Sequence, residues 1–325
     1  MRVVLHIGLN KTGTCSVQNV LFANPEALAR EGWLYPKAAL ERSAHHALVG
    51  IAAQGMGALR AFRADITAEA QDAGLDQIVI STEALHETPH IGRLARLFED
   101  CETRILLTLR DPVDYLSSWY REDVKSTGLC SDFATYAVLK RKTFLPLLRA
   151  WARAFGRDAL ILRVYDRARL FRGSSVDDAM QAGLGIHDMT GWRPAEVAEN
   201  PSVSGNLLFY KRLLNNFISR EEATVYRDEL RLLSIAEPAF RQPLEIPEAF
   251  VRYLINQFYK ADAAAIKEEF DVDLNLNTNG RPGVVMPDLD RLAQDFRTIQ
   301  TASAEQGLRF GARLAPFVPA LVPQG

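Results

Sequence analysis

A lysine, three hydroxyl side chains and a thiol lie within six residues near the start of the chain, in the run Lys11-Thr12-Gly13-Thr14-Cys15-Ser16. The lysine supplies a positive charge, while the hydroxyls and the backbone N–H groups supply hydrogen-bond donors. Such a donor set is suited to an anion such as a phosphate or a sulfonate. We therefore predict an anion-binding loop at residues 11–16.

The flanking residues predict how this loop is positioned. Residues 3–7 are an apolar run typical of a buried strand, and Val17, Val20 and Leu21 follow the loop at helical spacing. A strand, a tight loop and a helix together aim several backbone N–H groups and the positive end of the helix dipole at one point.

This loop departs from the Walker pattern of ATPases, which places the lysine directly after the second glycine. Here Lys11 lies between Gly8 and Gly13. The expected acid of a Walker-B strand is also missing from the sequence pattern, because Leu109 leads into Arg110. Both departures disfavour hydrolysis of Mg-ATP.

A second anion-binding pattern follows residues 104–109, which read as a strand leading into a helix. Arg110 comes directly after the strand, Pro112 suits the first turn of the helix, and Ser118 lies two helical turns further on. Because parallel strands end at one edge of a sheet, we expect Arg110 near residues 11–16. An arginine fork and a serine hydroxyl can bind a second phosphate.

The pattern of elements predicts the fold class. Strand-like runs at residues 77–81, 104–109 and 159–165 alternate with amphipathic helical stretches, which predicts a three-layer α/β fold with a central, mostly parallel sheet. After residue 166 the patterns are helical. We predict a single domain with a nucleotide-binding α/β core at residues 1–170, a helical acceptor-side part at 171–310 and a loosely packed tail at 311–325.

Composition narrows the functional classes. The 325 residues carry a net charge of −2, which provides no basic field for nucleic acid. The three cysteines, Cys15, Cys101 and Cys130, have neither disulfide-framework nor metal-site spacing. Neither a secretory signal pattern nor an apolar run long enough to span a membrane is recognisable, so a cytoplasmic protein without an integral membrane segment is expected.

Taken together, the two anion-binding patterns resemble those of the PAPS-dependent sulfotransferases (PAPS is 3′-phosphoadenosine 5′-phosphosulfate). Residues 11–16 resemble the 5′-phosphosulfate loop, and Arg110 with Ser118, followed by Trp-Tyr, resembles the 3′-phosphate motif. Residues 151–158, the stretch Arg163-Val-Tyr-Asp and residues 200–204 resemble bacterial members of the family. The resemblance covers about residues 1–217, and it departs at Cys15, where many relatives carry a threonine.

The resemblance implies a P-loop-like fold and an activity: transfer of a sulfonate group from PAPS to a hydroxyl or amine by in-line displacement, without a metal. It places Lys11 at the bridging oxygen of the leaving phosphate. The nucleotide-binding residues that it implies are Lys11, Thr12, Gly13, Thr14, Cys15, Ser16, Arg110 and Ser118. The implied acceptor is a glycan, a lipid or a small metabolite.

The base that takes the acceptor's proton has two candidates. Glu83 follows the predicted strand at residues 77–81 and resembles the glutamate of the heparan-type branch of the family, although a carboxylate there could instead stabilise a helix start. The alternative is His45 or His46, because relatives often have a histidine in this region after a Tyr-Pro pair like Tyr35-Pro36. The sequence leaves this choice open.

Further residues match the family more loosely. Arg281 lies where many sulfotransferases close a basic loop over the nucleotide, but its Asn-Gly and Pro-Gly neighbours favour a plain turn. Asn200 and Ser202 fit a family pattern, with helix capping as their expected role. Core packing is expected for most of the aromatic residues that could line an acceptor pocket, namely Trp33, Tyr35, Trp119, Tyr120, Phe133 and Tyr136.

Two other functions compete with sulfonate transfer. A P-loop-like kinase would use ATP with Mg²⁺, and a nonenzymatic protein would only bind a nucleotide. The sequence identifies neither the acceptor nor the oligomeric state.

Overall fold

The structure is a computed structural model, and it describes residues 1–194 and 202–318. The strands in these residues are β1 (Arg2–His6), β2 (Trp33–Leu34), β3 (Gln77–Ser81), β4 (Glu102–Leu109) and β5 (Leu160–Val164). The α-helices are α1 (Thr14–Ala23), α2 (Pro25–Arg30), α3 (Ala47–Gln54), α4 (Met56–Ala73), α5 (Ile91–Leu97), α6 (Pro112–Ser126), α7 (Phe133–Leu139), α8 (Leu145–Phe155), α9 (Ser175–Ala179), α10 (Gly205–Leu214), α11 (Arg220–Val225), α12 (Arg227–Ala236), α13 (Glu248–Leu254), α14 (Lys260–Phe270), α15 (Leu292–Glu305) and α16 (Phe310–Leu314).

Shorter helical turns complete these elements. The 3₁₀ turns lie at Glu83–Glu87, Arg157–Ala159, Phe171–Gly173, Pro238–Arg241 and Ala315–Phe317. Single π-helical turns continue α9 at Met180–Leu184 and α13 at Ile255–Tyr259.

The five strands form one parallel sheet in the order β2-β3-β1-β4-β5. β1 is therefore central, with β3 on one side and β4 on the other. The chain leaves β1 toward the β3 side and leaves β4 toward β5, so the order reverses between β1 and β4. In open α/β sheets, ligands bind beyond the carboxyl ends of the strands at such a reversal.

Both faces of the sheet are buried, as the continuous apolar runs predict. Val4, Val79 and Leu106 pack on α1 and on the helix that begins with α9, while Val3 and Leu5 on the opposite face are also fully buried. This is the predicted three-layer α/β architecture. The finer expectation of a P-loop-like fold stays a prediction.

The chain divides into two compact units. The first contains the sheet and consists of Met1–Asp111, residues 143–194 and Ala261–Asn275. The second is helical and consists of Pro112–Lys142 with residues 202–260 and 276–318. The units interleave along the chain, whereas the sequence analysis placed a boundary near residue 170. The helical hairpin after β4 has its own apolar partners in the second unit, which explains why it separates from the sheet.

The second unit has a core of its own. Tyr120 and Val124 of α6 pack against Leu207, Tyr210 and other apolar residues of the later helices. Asn215 strengthens this packing, because its amide nitrogen donates to the carbonyl oxygens of Val124 at 2.9 Å and Leu129 at 2.8 Å.

The predicted elements agree closely with the observed ones where the pattern is long. β3 has the predicted bounds, and β4 begins two residues earlier than residue 104. The helix α8 ends at Phe155, directly before Gly156. In the helical part after residue 166, the π-helical turn at Ile255–Tyr259 separates α13 from α14. The two-residue strand β2 was missed because it is too short to produce a pattern. The expectation of a loosely packed tail at residues 311–325 is wrong for residues 311–318, because α16 and the 3₁₀ turn after it bury Leu314 and Val318 in an apolar core. Residues 319–325 lie outside the described residues.

Candidate functional site

The loop between β1 and α1 has an unusual backbone. Lys11 has a φ of 69°, a left-handed conformation that costs a residue with a side chain about 1–2 kcal/mol. The hydroxyl of Thr12 donates to the carbonyl oxygen of Leu9 at 2.6 Å, so this side chain stabilises the loop from inside. Gly13, with a φ of 87°, then turns the chain into α1. The tight turn presents the start of a ten-residue helix at the sheet edge.

The other predicted members of this loop differ in exposure. Thr14 is buried, Ser16 is half-buried and Cys15 is exposed. Although Cys15 as a residue is exposed, partial burial of its sulfur and the nearby Glu83 carboxylate raise the pKa of the thiol, while a hydrogen bond with Thr14 and the Lys11 ammonium lower it. Positive and negative charges therefore meet at the first turn of α1.

Arg110 lies beside this loop, as predicted from its place after β4. Its guanidinium donates to the Lys11 carbonyl oxygen at 2.7 Å and lies 5.1 Å from the ring centroid of Tyr165. The Tyr165 N–H donates to the Leu109 carbonyl oxygen at 2.7 Å, which aligns the ends of β4 and β5. The segments after β1, β4 and β5 thus meet at one edge of the sheet.

The start of α9 packs directly on the loop. A Cβ atom added to Gly13 would lie 2.3 Å from the Ser175 hydroxyl oxygen, so only a glycine fits there. α9 is held to the sheet by Arg163, whose guanidinium forms a two-bond ion pair with the buried carboxylate of Asp178. Arg163 begins the stretch Arg163-Val-Tyr-Asp, which resembles bacterial sulfotransferases in sequence, and its ion pair here is with Asp178.

An open cleft of about 590 Å³ lies next to the loop in the first unit. Ser16 of α1, Tyr165, Ser174 and Trp192 are among the residues that line it. The rings of Tyr165 and Trp192 provide apolar surface, and Arg167 provides positive charge at the rim. A cleft with this lining can hold an aromatic base attached to an anionic group.

Glu83 lies at the same edge, directly after β3. Its Oε2 accepts a 2.6 Å hydrogen bond from the amide of Gln18 on α1, and its Oε1 lies 4.0 Å from Nε2 of His46. Nδ1 of His46 is 2.8 Å from the Thr82 hydroxyl oxygen. The Glu83 side chain is 16% exposed.

His45 and His46 have different environments, which bears on the choice between them. His45 is fully buried; its Nε2 donates to the Pro36 carbonyl oxygen at 2.9 Å and its Nδ1 accepts from the Ser81 N–H at 3.1 Å. Burial lowers the pKa of His45 to about 4. With both nitrogens bonded to backbone, His45 is a structural residue, and the alternative base is His46.

His6 is the last residue of β1 and lies next to the loop. It is buried, its Nδ1 is 2.7 Å from the Ser81 hydroxyl oxygen, and burial lowers its pKa to about 4, all of which mark His6 as a structural residue. His6 and His45 therefore enclose the end of β3 with neutral rings.

Other predicted residues lie in the second unit or outside the described residues. Ser118 is half-buried on α6, whereas Arg110 belongs to the first unit, so their joint contact with one phosphate stays a prediction.

Arg281 forms an ion pair with Asp114 and donates to the carbonyl oxygens of Asn277 and Asn279 within a turn. Ser202 is exposed, and the expected capping role is wrong for it, because α10 begins at Gly205 and its N-cap is Ser204. Asn200 lies outside the described residues.

The aromatic residues are mostly core, as expected. Five of them are buried, and Trp119 is half-buried: the buried ones are Trp33, Tyr35, Tyr120, Phe133 and Tyr136.

Sequence reasoning missed Gln18, Tyr165, Ser175 and Trp192 as members of this site. A glutamine at a position that belongs to the apolar face of α1 is the signal that could have identified Gln18. The others are contributed by segments about 150 residues away along the chain, and no local pattern marks them.

Comparisons with protein-family models, curated protein sequences and solved structures find no match to this chain. Across the described residues, no helix combines the length and apolar character needed to cross a membrane. Residues 1–194 and 202–318 contain no group of three His, Cys, Asp or Glu side chains arranged to hold a metal ion, and the expected independence of metals stays a prediction.

Proposed function

We propose that this protein is a sulfotransferase, which moves a sulfonate group from PAPS to a hydroxyl or amine of an acceptor. The observation that carries this proposal is the bond from Arg110 to the carbonyl oxygen of Lys11. It joins the two sequence patterns that resemble the phosphate motifs of PAPS-dependent enzymes, at the reversal point of a parallel sheet.

The donor set suits a nucleotide with several anionic groups. N–H groups at the start of α1, together with Ser16, can hold the 5′-phosphate, and Arg110 adds a positive charge on the β4 side. The adenosine part fits the cleft beside Ser16, where Tyr165 and Trp192 offer ring surfaces. Ser118 is the further residue that the sequence pattern assigns to the 3′-phosphate.

In an in-line transfer, different residues around the loop would remove the acceptor's proton and neutralise the leaving group. Glu83 takes the proton of the acceptor's O–H or N–H bond as the acceptor atom forms a bond to sulfur. The bond from sulfur to the bridging oxygen breaks, and the leaving phosphate keeps the electron pair, whose charge Lys11 neutralises. Stabilising such a developing charge with one positioned donor is worth about 3–4 kcal/mol in other enzymes.

The acceptor class follows from the base. Glu83 is the base that we propose, with His46 as the alternative, and a carboxylate base favours the heparan-type branch of the family. We therefore propose a carbohydrate hydroxyl or amine as the acceptor group.

Transfer from PAPS labelled in its sulfonate group tests this function. Extracts of cells supply the acceptors, and mass spectrometry identifies the sulfated product. The wild-type protein should label a defined product, and Lys11→Ala should reduce the rate about 100- to 1,000-fold. Lys260→Ala removes an exposed lysine of the same type and should leave the rate unchanged. Labelling that is equal in Lys11→Ala and the wild type would contradict the proposal.

A further inference from the structure

Gln18 has a polar side chain on the buried face of α1. The other buried residues of this helix are Thr14, Val17, Val20 and Leu21, and Gln18 itself is only 2% exposed. Burying an amide is unfavourable unless it is hydrogen-bonded, and an apolar residue would fill such a position without this cost. The glutamine therefore needs a specific partner.

That partner is the Glu83 carboxylate. The Gln18 amide nitrogen donates to Oε2 at 2.6 Å, across 65 residues of sequence. A hydrogen bond from an amide to a charged carboxylate is stronger than one between neutral groups, and it fixes the plane of the carboxylate. Oε2 is therefore held by a hydrogen bond from α1.

The second oxygen, Oε1, lies on the side of His46. The 4.0 Å between Oε1 and Nε2 exceeds a direct hydrogen bond, so this oxygen is held near the ring without being bonded to it. The ring itself is oriented by the contact of Nδ1 with the Thr82 hydroxyl. The two oxygens of Glu83 thus have different roles available to them.

We propose that Gln18 is a positioning residue, which binds Oε2 of Glu83 and leaves Oε1 as the atom that accepts the proton from the acceptor substrate. This inference rests on the proposed function. In the step, the acceptor's O–H or N–H bond breaks, an O–H bond forms at Oε1, and water removes this proton after turnover. Because Gln18 lies one turn after Thr14, the helix that presents the loop also holds the base.

Other titratable groups surround the carboxylate. His6 of β1, Cys15 of α1 and Tyr35 after β2 all sense its charge, and His46 faces Oε1. Burial keeps His6 neutral by lowering its pKa, and burial raises the pKa of Cys15 and Tyr35, so these three carry no charge near neutral pH.

The test compares two substitutions at position 18. Gln18→Met keeps the length but removes the donor, and we expect kcat to fall about 10- to 100-fold while the affinity for adenosine 3′,5′-bisphosphate (PAP) changes less than about twofold. Gln18→Glu places a second carboxylate beside Glu83, and like charges should move the acid limb of the kcat profile to higher pH. A purely structural role would not move that limb.

Gln300→Met is the matched control. Gln300 also donates a 2.6 Å hydrogen bond through its amide, but to the Gly311 carbonyl oxygen in the second unit, so its loss should affect stability without changing kcat or the pH profile. Unchanged kcat in Gln18→Met overturns the inference. If Gln18→Met fails to fold, the acid limb of Gln18→Glu decides, and a limb that coincides with the wild type overturns it.

The outcome is separable from that of the proposed function. If the wild-type protein neither binds PAP nor transfers sulfonate from PAPS, the proposed function fails. If the wild type is active and the two Gln18 variants match it, only the role of Gln18 fails.

Discussion

At the scale of single residues, the site is surrounded by histidines that are buried in their neutral form. Burial lowers the pKa of His6 and of His45 to about 4. Each ring therefore binds a proton more readily in the unfolded chain, where an ordinary histidine has a pKa of about 6.5. Because the rings are neutral in the folded protein, acid destabilises the folded state.

This sensitivity predicts the pH dependence of stability. Because acid favours the unfolded state, the free energy of unfolding should fall as the pH drops from about 6.5 to about 4 and level off below, with each histidine contributing up to about 3 kcal/mol. Urea unfolding across this range measures it. His45→Asn should flatten the slope, whereas His187→Asn, at an exposed position, should keep it. An identical slope in His45→Asn and the wild type would refute the assignment of His45 as a buried neutral residue.

Gly13 carries the second prediction at this scale. Gly13→Ala would combine a left-handed backbone with a Cβ atom 2.3 Å from the Ser175 hydroxyl oxygen, and we expect it to lower the free energy of unfolding by about 2–4 kcal/mol. Gly74→Ala is the matched control, because Gly74 has a φ of 65° but open space around it, so only the backbone cost of about 1–2 kcal/mol remains. Equal losses in the two variants, measured by denaturant unfolding, would show that the contact with Ser175 is unimportant.

At the scale of elements, α9 supports the loop from the side. It is fixed by the ion pair between Asp178 and Arg163 and by the Phe171 N–H, which donates to the Asp178 carboxylate at 2.9 Å. Breaking a fully buried pair costs about 3–5 kcal/mol. A third of the Arg163 side chain is exposed, which reduces the cost because water screens the charge.

We therefore expect Asp178→Asn to destabilise the protein by about 2 kcal/mol. Denaturant unfolding gives this value, and calorimetry should show weaker binding of PAP because α9 packs on Gly13. Asp177→Asn is the control, since Asp177 is the adjacent acid in the same helical turn and its ion pair with Arg172 is long, at 3.8 Å. If both variants bind PAP like the wild type, α9 has no part in shaping the loop.

The elements also explain how much the sequence could predict. Long apolar runs such as Gln77–Ser81 predicted strands well, because a parallel strand is buried on both faces. Likewise, because parallel strands end at one edge of a sheet, the sequence predicted that Arg110 lies near the loop at residues 11–16, as it does. Gln18 and Glu83 could not be paired from sequence, because 65 residues separate them and only tertiary packing brings them together. The different environments of His45, which is buried between the backbones of Pro36 and Ser81, and His46, which is half-buried, depend on tertiary contacts that local propensity does not determine.

At the scale of the whole molecule, ligand attraction must be local. The net charge of −2 provides no general pull on an anion. For the nucleotide that we propose as ligand, the affinity therefore has to come from the positive groups at the edge of the first unit, Lys11 and Arg110. We therefore predict that the protein distinguishes nucleotides by the positions of their phosphates rather than by their total charge.

The most direct test of the central claim is calorimetric titration of the purified protein with PAP and with ATP, each in EDTA and in Mg²⁺. We predict that PAP binds in EDTA, more tightly than ATP does under either condition, and that at a concentration 100 times its Kd it raises the free energy of unfolding by about 2.7 kcal/mol. Binding of ATP that requires Mg²⁺, with no binding of PAP, would contradict the account.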